Sequence, residues 1–228
     1  MKFVDAHVHL GYSIPIGDVL IQMDESNVEK IVVFALPAEV DYDPTTNDYV
    51  LRKSEEYEQL IPFYYVVETE ISEEIEKFRG FKWHWFKGWT HAKSNLSLFE
   101  DGKFRDFLRD LNELGKPIVI EEDFVFTKRF VEVIDNSPVI IPHLGLVSGD
   151  PAKFLKAFGD FNNIYFDTAL ASKNLIEKFY KELGSEKLIF GSDIPFGKMK
   201  DELGKILALN LPKKEIQMIL RENVLKLI

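Results

Sequence analysis

The stretch DAHVHLG, Asp5 to Gly11, alternates like a strand, yet it sets Asp5, His7 and His9 on one side and only Ala6 and Val8 on the other. A strand with so polar a side either lies at the water's edge or holds something. Which of the two applies depends on what the rest of the chain builds around it.

Short β-branched or aromatic runs recur at 2–9, 30–36, 61–67, 80–85, 117–121, 138–143, 163–168 and 187–192. Segments with helical periodicity lie between them. In 103–114, Phe104, Phe107, Leu108 and Leu111 fall at i, i+3, i+4 and i+7, and Gly115 and Pro117 stop the helix. Other helices are predicted near 17–28, 47–59, 71–78, 127–135, 151–158, 172–183, 198–208 and 213–226. Most of the strand runs are apolar on both faces, as buried parallel strands are. Eight strands alternating with helices predict an α/β fold of the (β/α)8 TIM-barrel type, distorted in places, with 1–228 as one domain. A doubly wound open sheet is the alternative, but the first turn, HLGYSIP, lacks the glycine pattern usual there.

Composition narrows the function. The net charge of −10 argues against a nucleic-acid partner bound through broad phosphate contact. No run approaches a membrane span and no signal-peptide pattern opens the sequence, so a cytoplasmic protein is expected. The absence of cysteine leaves histidine and carboxylates as the only strong metal ligands. Abundant Glu and Lys with three Gln resemble thermophile composition.

The five histidines are not scattered. His7, His9, His84 and His143 fall at the predicted C-terminal ends of strands one, four and six, and His91 in the loop after strand four. In a barrel those ends form one face, where active sites are built. Strand alternation places Phe3, Asp5, His7 and His9 together, predicted to point into the barrel, with Val4, Ala6 and Val8 against the helices. Residues i and i+2 are ~6.6 Å apart along a strand, close enough for two imidazoles to converge on one ion. Asp193 is expected at the top of strand eight, His143 on strand six, Glu121 on strand five, and Lys82 with His84 on the inner face of strand four.

DAHVHLG together with PHLG (142–145), YFDTA (165–169) and FGSDIPFG (190–197) resembles the amidohydrolase superfamily, most closely its amidohydrolase-2 group of metal-dependent hydrolases and decarboxylases. The resemblance runs over nearly the whole chain, in order. It implies that His7 and His9 are metal ligands, that Asp193 is both ligand and general base, and that His143 contacts the attacking water or the substrate. FRGFKWHW (78–85) resembles the segment that places Lys82 and His84 over the cavity. The family usually carries a ligand histidine on strand five, where this chain reads PIVIE, so Glu121 is expected as an oxygen ligand in its place. One divalent ion is implied, zinc first; two carboxylates on it favour a harder ion such as manganese or iron.

Each residue also has a plainer reading. His7 and His9 could be a buried pair satisfied by the backbone, Asp193 a helix N-cap, and His143 the partner of a loop carbonyl. Glu122 rivals Glu121 by a one-residue slip. Trp83 and Trp85 suit outward packing under helices, while Trp89 is a candidate substrate contact. The leading expectation is a hydrolase acting on a small amide, ester, lactone or cyclic imide. A non-oxidative decarboxylase and a catalytically degenerate binding barrel are the alternatives. The expected partner is a small molecule, with no nucleic acid and no membrane; homo-oligomer formation is left open.

Overall fold

The computed structural model of the chain describes residues 2–36, 43, 45–70, 73–88 and 93–228. These form one eight-stranded parallel sheet, β1 (Phe3–Leu10), β2 (Val28–Ala35), β3 (Leu60–Tyr65), β4 (Gly80–His84), β5 (Ile118–Glu121), β6 (Val139–Ile141), β7 (Ile164–Asp167) and β8 (Leu188–Ile189), paired in sequence order. The ring closes where the segment after β8 meets β1. Ala6 N donates to Phe190 O at 2.9 Å, Asp193 N to His7 O at 2.7 Å and His9 N to Ile194 O at 2.9 Å. This is the (β/α)8 barrel the strand pattern predicts.

The helices start and stop where local chemistry directs. α1 (Ile16–Ser26) and α2 (Thr46–Glu56) follow β1 and β2. In α3 (Gly102–Leu114) the Asp101 side chain accepts from Lys103 N, Gly115 closes the end with φ 63°, and Phe104, Phe107, Leu108 and Leu111 are buried as expected. α4 (Phe124–Val131) begins three residues earlier than its apolar period predicts, because Asp123 caps the amides of Val125 and Phe126. α5 (Pro151–Phe158), α6 (Lys173–Leu183) and α7 (Met199–Leu207) complete the outer layer. The helix predicted at 71–78 is instead a 3-10 turn, Glu73–Lys77, with residues 71–72 outside the described residues. Among its described residues that stretch supplies Ile75 and Phe78 to the core.

Two apolar layers result. Val4, Ala6, Val32, Phe34, Ile61, Phe63, Val119, Ile140 and Ile189 come from six strands and fill the lumen. Val224 joins them from the last helix, α9 (Asn223–Leu227), which follows α8 (Lys213–Gln217) and one π turn, Met218–Glu222. Asn223 Nδ2 ties that helix to Ser185 O and Leu188 O, both at 2.7 Å, at the base of β8. The other face of each strand packs against helices. Trp83 there meets Phe104, Phe107, Phe126 and Phe130 with ring centroids 5.2–6.1 Å apart, and its Nε1 donates to Glu122 Oε1 at 2.9 Å.

The alternation expected for β1 is corrected here. Val4 and Ala6 lie in the lumen, while Phe3 and Val8 lie in the outer layer. Asp5 pairs in register with Ile31 and Val8 with Val33, both outer-layer residues, and the register shifts between them. Two outward residues three apart require an irregularity of the bulge kind. It reverses the parity in mid-strand, so Asp5 points away from the lumen while His9, paired with Phe34, points into it.

Trp83→Ala should destabilise the fold by about 3–5 kcal/mol, because it opens a large cavity and removes a donor from buried Glu122. Urea denaturation checks it; a loss below about 1 kcal/mol would show that the aromatic layer closes over the gap.

Candidate metal centre and active site

The C-terminal ends of β1, β4, β5, β6 and β7, with the segment after β8, converge over the lumen. Each of three histidines has Nδ1 against a fixed acceptor. His7 Nδ1 meets Asp167 Oδ2 in a very short contact, His9 Nδ1 lies 2.8 Å from Ala35 O, and His143 Nδ1 lies 3.0 Å from Ala169 O. An Nδ1–H so held leaves the Nε2 lone pair free to face inward, the tautomer of a metal-ligating histidine.

Two of the Nε2 atoms meet at Asp193. Its Oδ1 lies 3.2 Å from His7 Nε2 and 3.1 Å from His9 Nε2. Donor atoms placed tetrahedrally about 2.0 Å from an ion are about 3.3 Å apart, so these separations suit one ion. The ligand atoms of His7, His143 and Asp193 all lie within 4.8 Å of one another. His7 Nε2 is buried with no hydrogen-bond partner, which a bound cation would remedy. Charge agrees: three carboxylates, Asp167, Asp193 and Glu121, face one ammonium, Lys82, and the excess matches one divalent cation. The donor set therefore fits a divalent ion.

Electrostatics divides the histidines. Burial and the Lys82 charge push His7 down, but the carboxylates of Asp167 and Asp193 outweigh them and raise it to about 9. Burial lowers His9 to about 4, leaving it neutral. Burial would raise Asp193, yet His7 and His9 hold it well below the usual carboxylate range. Outside the lumen, burial pushes Asp5 up to about 7, against the amides of Ser192 and His7 that donate to its Oδ1, each at 3.0 Å.

Glu121 sits one step away from this group. Its Oε2 lies 3.1 Å from Lys82 Nζ and 3.6 Å from His143 Nε2, and its Oε1 lies 3.6 Å from His84 Nε2. Despite burial, the Lys82 charge and the two imidazoles hold it well below its ordinary value. Its neighbour Glu122 points to the outer layer, where it accepts from Trp83 Nε1 and Phe86 N. Trp89 and His91 lie outside the described residues.

Two residues went unassigned in the sequence reading. Asp167 ends β7 inside the YFDTA motif; beyond its contact with His7, its Oδ1 accepts from Ala169 N at 2.5 Å, and Ala169 O receives His143. An acid closing an apolar strand was the available signal. The other is Phe196, half exposed, with its ring 5.8 Å from that of His9. Gly191 allows the strands to close here, since a Cβ on it would come within 2.7 Å of Asp167 Oδ1 and 2.8 Å of His7 Cβ.

Asp167→Asn should weaken metal binding by about 10–100-fold, because the amide cannot hold His7 in its ligating tautomer as a carboxylate does; competition titration with a chelating dye reads it, and an unchanged affinity would remove Asp167 from the site. In the metal-free protein, His7 carries a proton that the ion must displace. Zinc affinity should then fall by about tenfold per pH unit from pH 8 to pH 6, and a flat profile would contradict it. By the same linkage, the stability that His7 adds to the metal-free fold is present below its unfolded pKa of about 6.5 and is lost as pH rises through about 9.

No curated protein matches the sequence. The fold is similar to a 2,6-dihydroxybenzoate decarboxylase from Rhizobium, with a TM-score of 0.76 and 14% identity over 99% of this chain and 98% of that one. It is also similar to a probable 2-pyrone-4,6-dicarboxylic acid hydrolase from Acinetobacter baumannii with citric acid bound, with a TM-score of 0.76 and 18% identity over 100% of this chain and 99% of that one. A third similar structure is an amidohydrolase from Burkholderia multivorans with bound zinc, with a TM-score of 0.76 and 11% identity over 100% of this chain and 99% of that one. At these identities the structures speak for the fold alone. The family whose pattern matches over residues 70–228 is described as amidohydrolase, and that span, more than half of the chain, shows that the chain belongs to the amidohydrolase family.

Proposed function

We propose that the barrel is a metal-dependent hydrolase acting on a small ester, lactone, amide or cyclic imide. The supporting observation is the convergence of two anchored imidazoles, His7 and His9, on one carboxylate oxygen of Asp193 at ligand spacing. His7, His9 and Asp193 would hold one divalent ion, zinc by ligand type with manganese or iron as alternatives.

Such an ion supplies Lewis acidity toward a water or a carbonyl oxygen. Asp193 is kept ionised by His7 and His9, so its Oδ2 accepts a proton from the attacking water and returns it to the leaving group. His143 Nδ1 is held by Ala169 O, so its Nε2 lone pair faces the pocket, 3.6 Å from Glu121, and accepts a hydrogen bond from the attacking water. Phe196 beside His9 offers an apolar contact to a small-molecule substrate.

The test is metal content followed by turnover. Purified protein, or protein reconstituted with Zn²⁺, Mn²⁺ or Fe²⁺, should hold about one ion per chain, and His7→Ala should lose it while keeping its circular dichroism. A lactone and ester panel should turn over in the loaded protein. Release of CO2 from hydroxybenzoates without ester or lactone turnover would instead assign the decarboxylase chemistry. No stoichiometric ion at all would leave the barrel as a binding module.

A further inference from the structure

Lys82 is the one lysine or arginine among the buried described residues, fully inaccessible in the lumen wall with Nζ 5.1 Å from the centre of the Phe34 ring. In a substrate pocket a buried ammonium is the natural partner of a substrate carboxylate. Here that position is filled. Glu121 Oε2 lies 3.1 Å from Nζ. The register between β4 and β5 pairs Lys82 with Val119 and His84 with Glu121, so Glu121 stands two residues nearer the C-terminal mouth and closes over the ammonium. His84 and His143, each 3.6 Å from a Glu121 oxygen, flank it.

We propose that Glu121 is a built-in carboxylate that occupies Lys82, so that the pocket selects substrates whose buried end carries no negative charge. This rests on reading the lumen as the substrate site. An anionic group entering here meets Glu121 and Asp193 and finds, among the described residues of the wall, no buried lysine or arginine left unmatched. With one divalent ion the lumen is already balanced in charge, so a further carboxylate leaves it in excess. A neutral carbonyl or hydroxyl meets no such penalty and has the histidine edges to hydrogen-bond. Glu121 is thus a specificity-determining residue acting through Lys82, one step outside the proposed ligand set.

The experiment is binding of acetate and benzoate to the zinc-loaded protein, read by calorimetry. Wild type should bind both weakly, with no dependence on Lys82. Glu121→Ala opens the carboxylate's space while keeping Lys82, and should bind both about tenfold more tightly; the gain should vanish in E121A/K82M. Equal affinity in wild type and E121A, or a gain that persists in E121A/K82M, overturns the proposal, the latter because the ion alone would then hold the carboxylate. Should E121A fail to fold, E121Q keeps the side-chain volume. A benzoate affinity raised about threefold in E121Q and restored to the wild-type value in E121Q/K82M supports the proposal, and no change overturns it. Failure of the metalloenzyme reading appears separately, as absent zinc in wild type.

Discussion

The centre depends on an irregularity of one strand. In β1 the bulge between Asp5 and Val8 reverses the side-chain parity, which lets Val4 and Ala6 fill the bottom of the lumen and His9 enter its top. A regular strand allows only one of these. Asp5 holds the irregularity in place: its Oδ1 accepts the amide of His7 in its own strand and the amide of Ser192 in the closing segment. The same carboxylate therefore joins the ring of strands and sets the height at which His7 and Asp193 meet. Burying a carboxylate is unfavourable, and two amide donors on one oxygen offset part of that cost.

Charge is the second constraint. Asp167, Asp193, Glu121 and Lys82 occupy a space from which water is largely excluded, where unmatched charge is costly. Without an ion the pocket lowers its charge by protonating His7, which its carboxylate neighbours favour strongly enough to raise it to about 9. With an ion the proton leaves and the charges match. An affinity for a divalent cation would share its origin with the basicity of His7, the two carboxylates on either side of its ring.

The two sides of the lumen then have different tasks. The wall of β1, β7 and the post-β8 segment supplies the candidate ligands and their supports, as His7, His9, Asp167 and Asp193. The wall of β4 and β5 supplies a closed ion pair, Lys82 with Glu121, and His143 stands between them. Strand ends that look alike in sequence, each an apolar run finished by one polar residue, are separated by where the barrel's curvature places them.

Much of the fold was legible because it rests on short-range rules: apolar periodicity marked α3, caps and glycines its ends, and buried parallel runs the eight strands. The site was legible as far as position along a strand decides it, since His7, His9, His143 and Asp193 all fall at C-terminal ends. The facing of Asp5 was not, because strand alternation assumes no bulge and the irregularity arises only when β1 must pair with β2 and the post-β8 segment together. Nor was the support of His7 by Asp167 from 160 residues away, or the partner of Glu121. The sequence by itself determined which residues can reach the barrel's mouth, since the point where each strand run ends along the chain is a local property. Only the tertiary structure decided which of them touch, because hydrogen bonds and charge pairing across the lumen depend on distances that exist once the ring has closed.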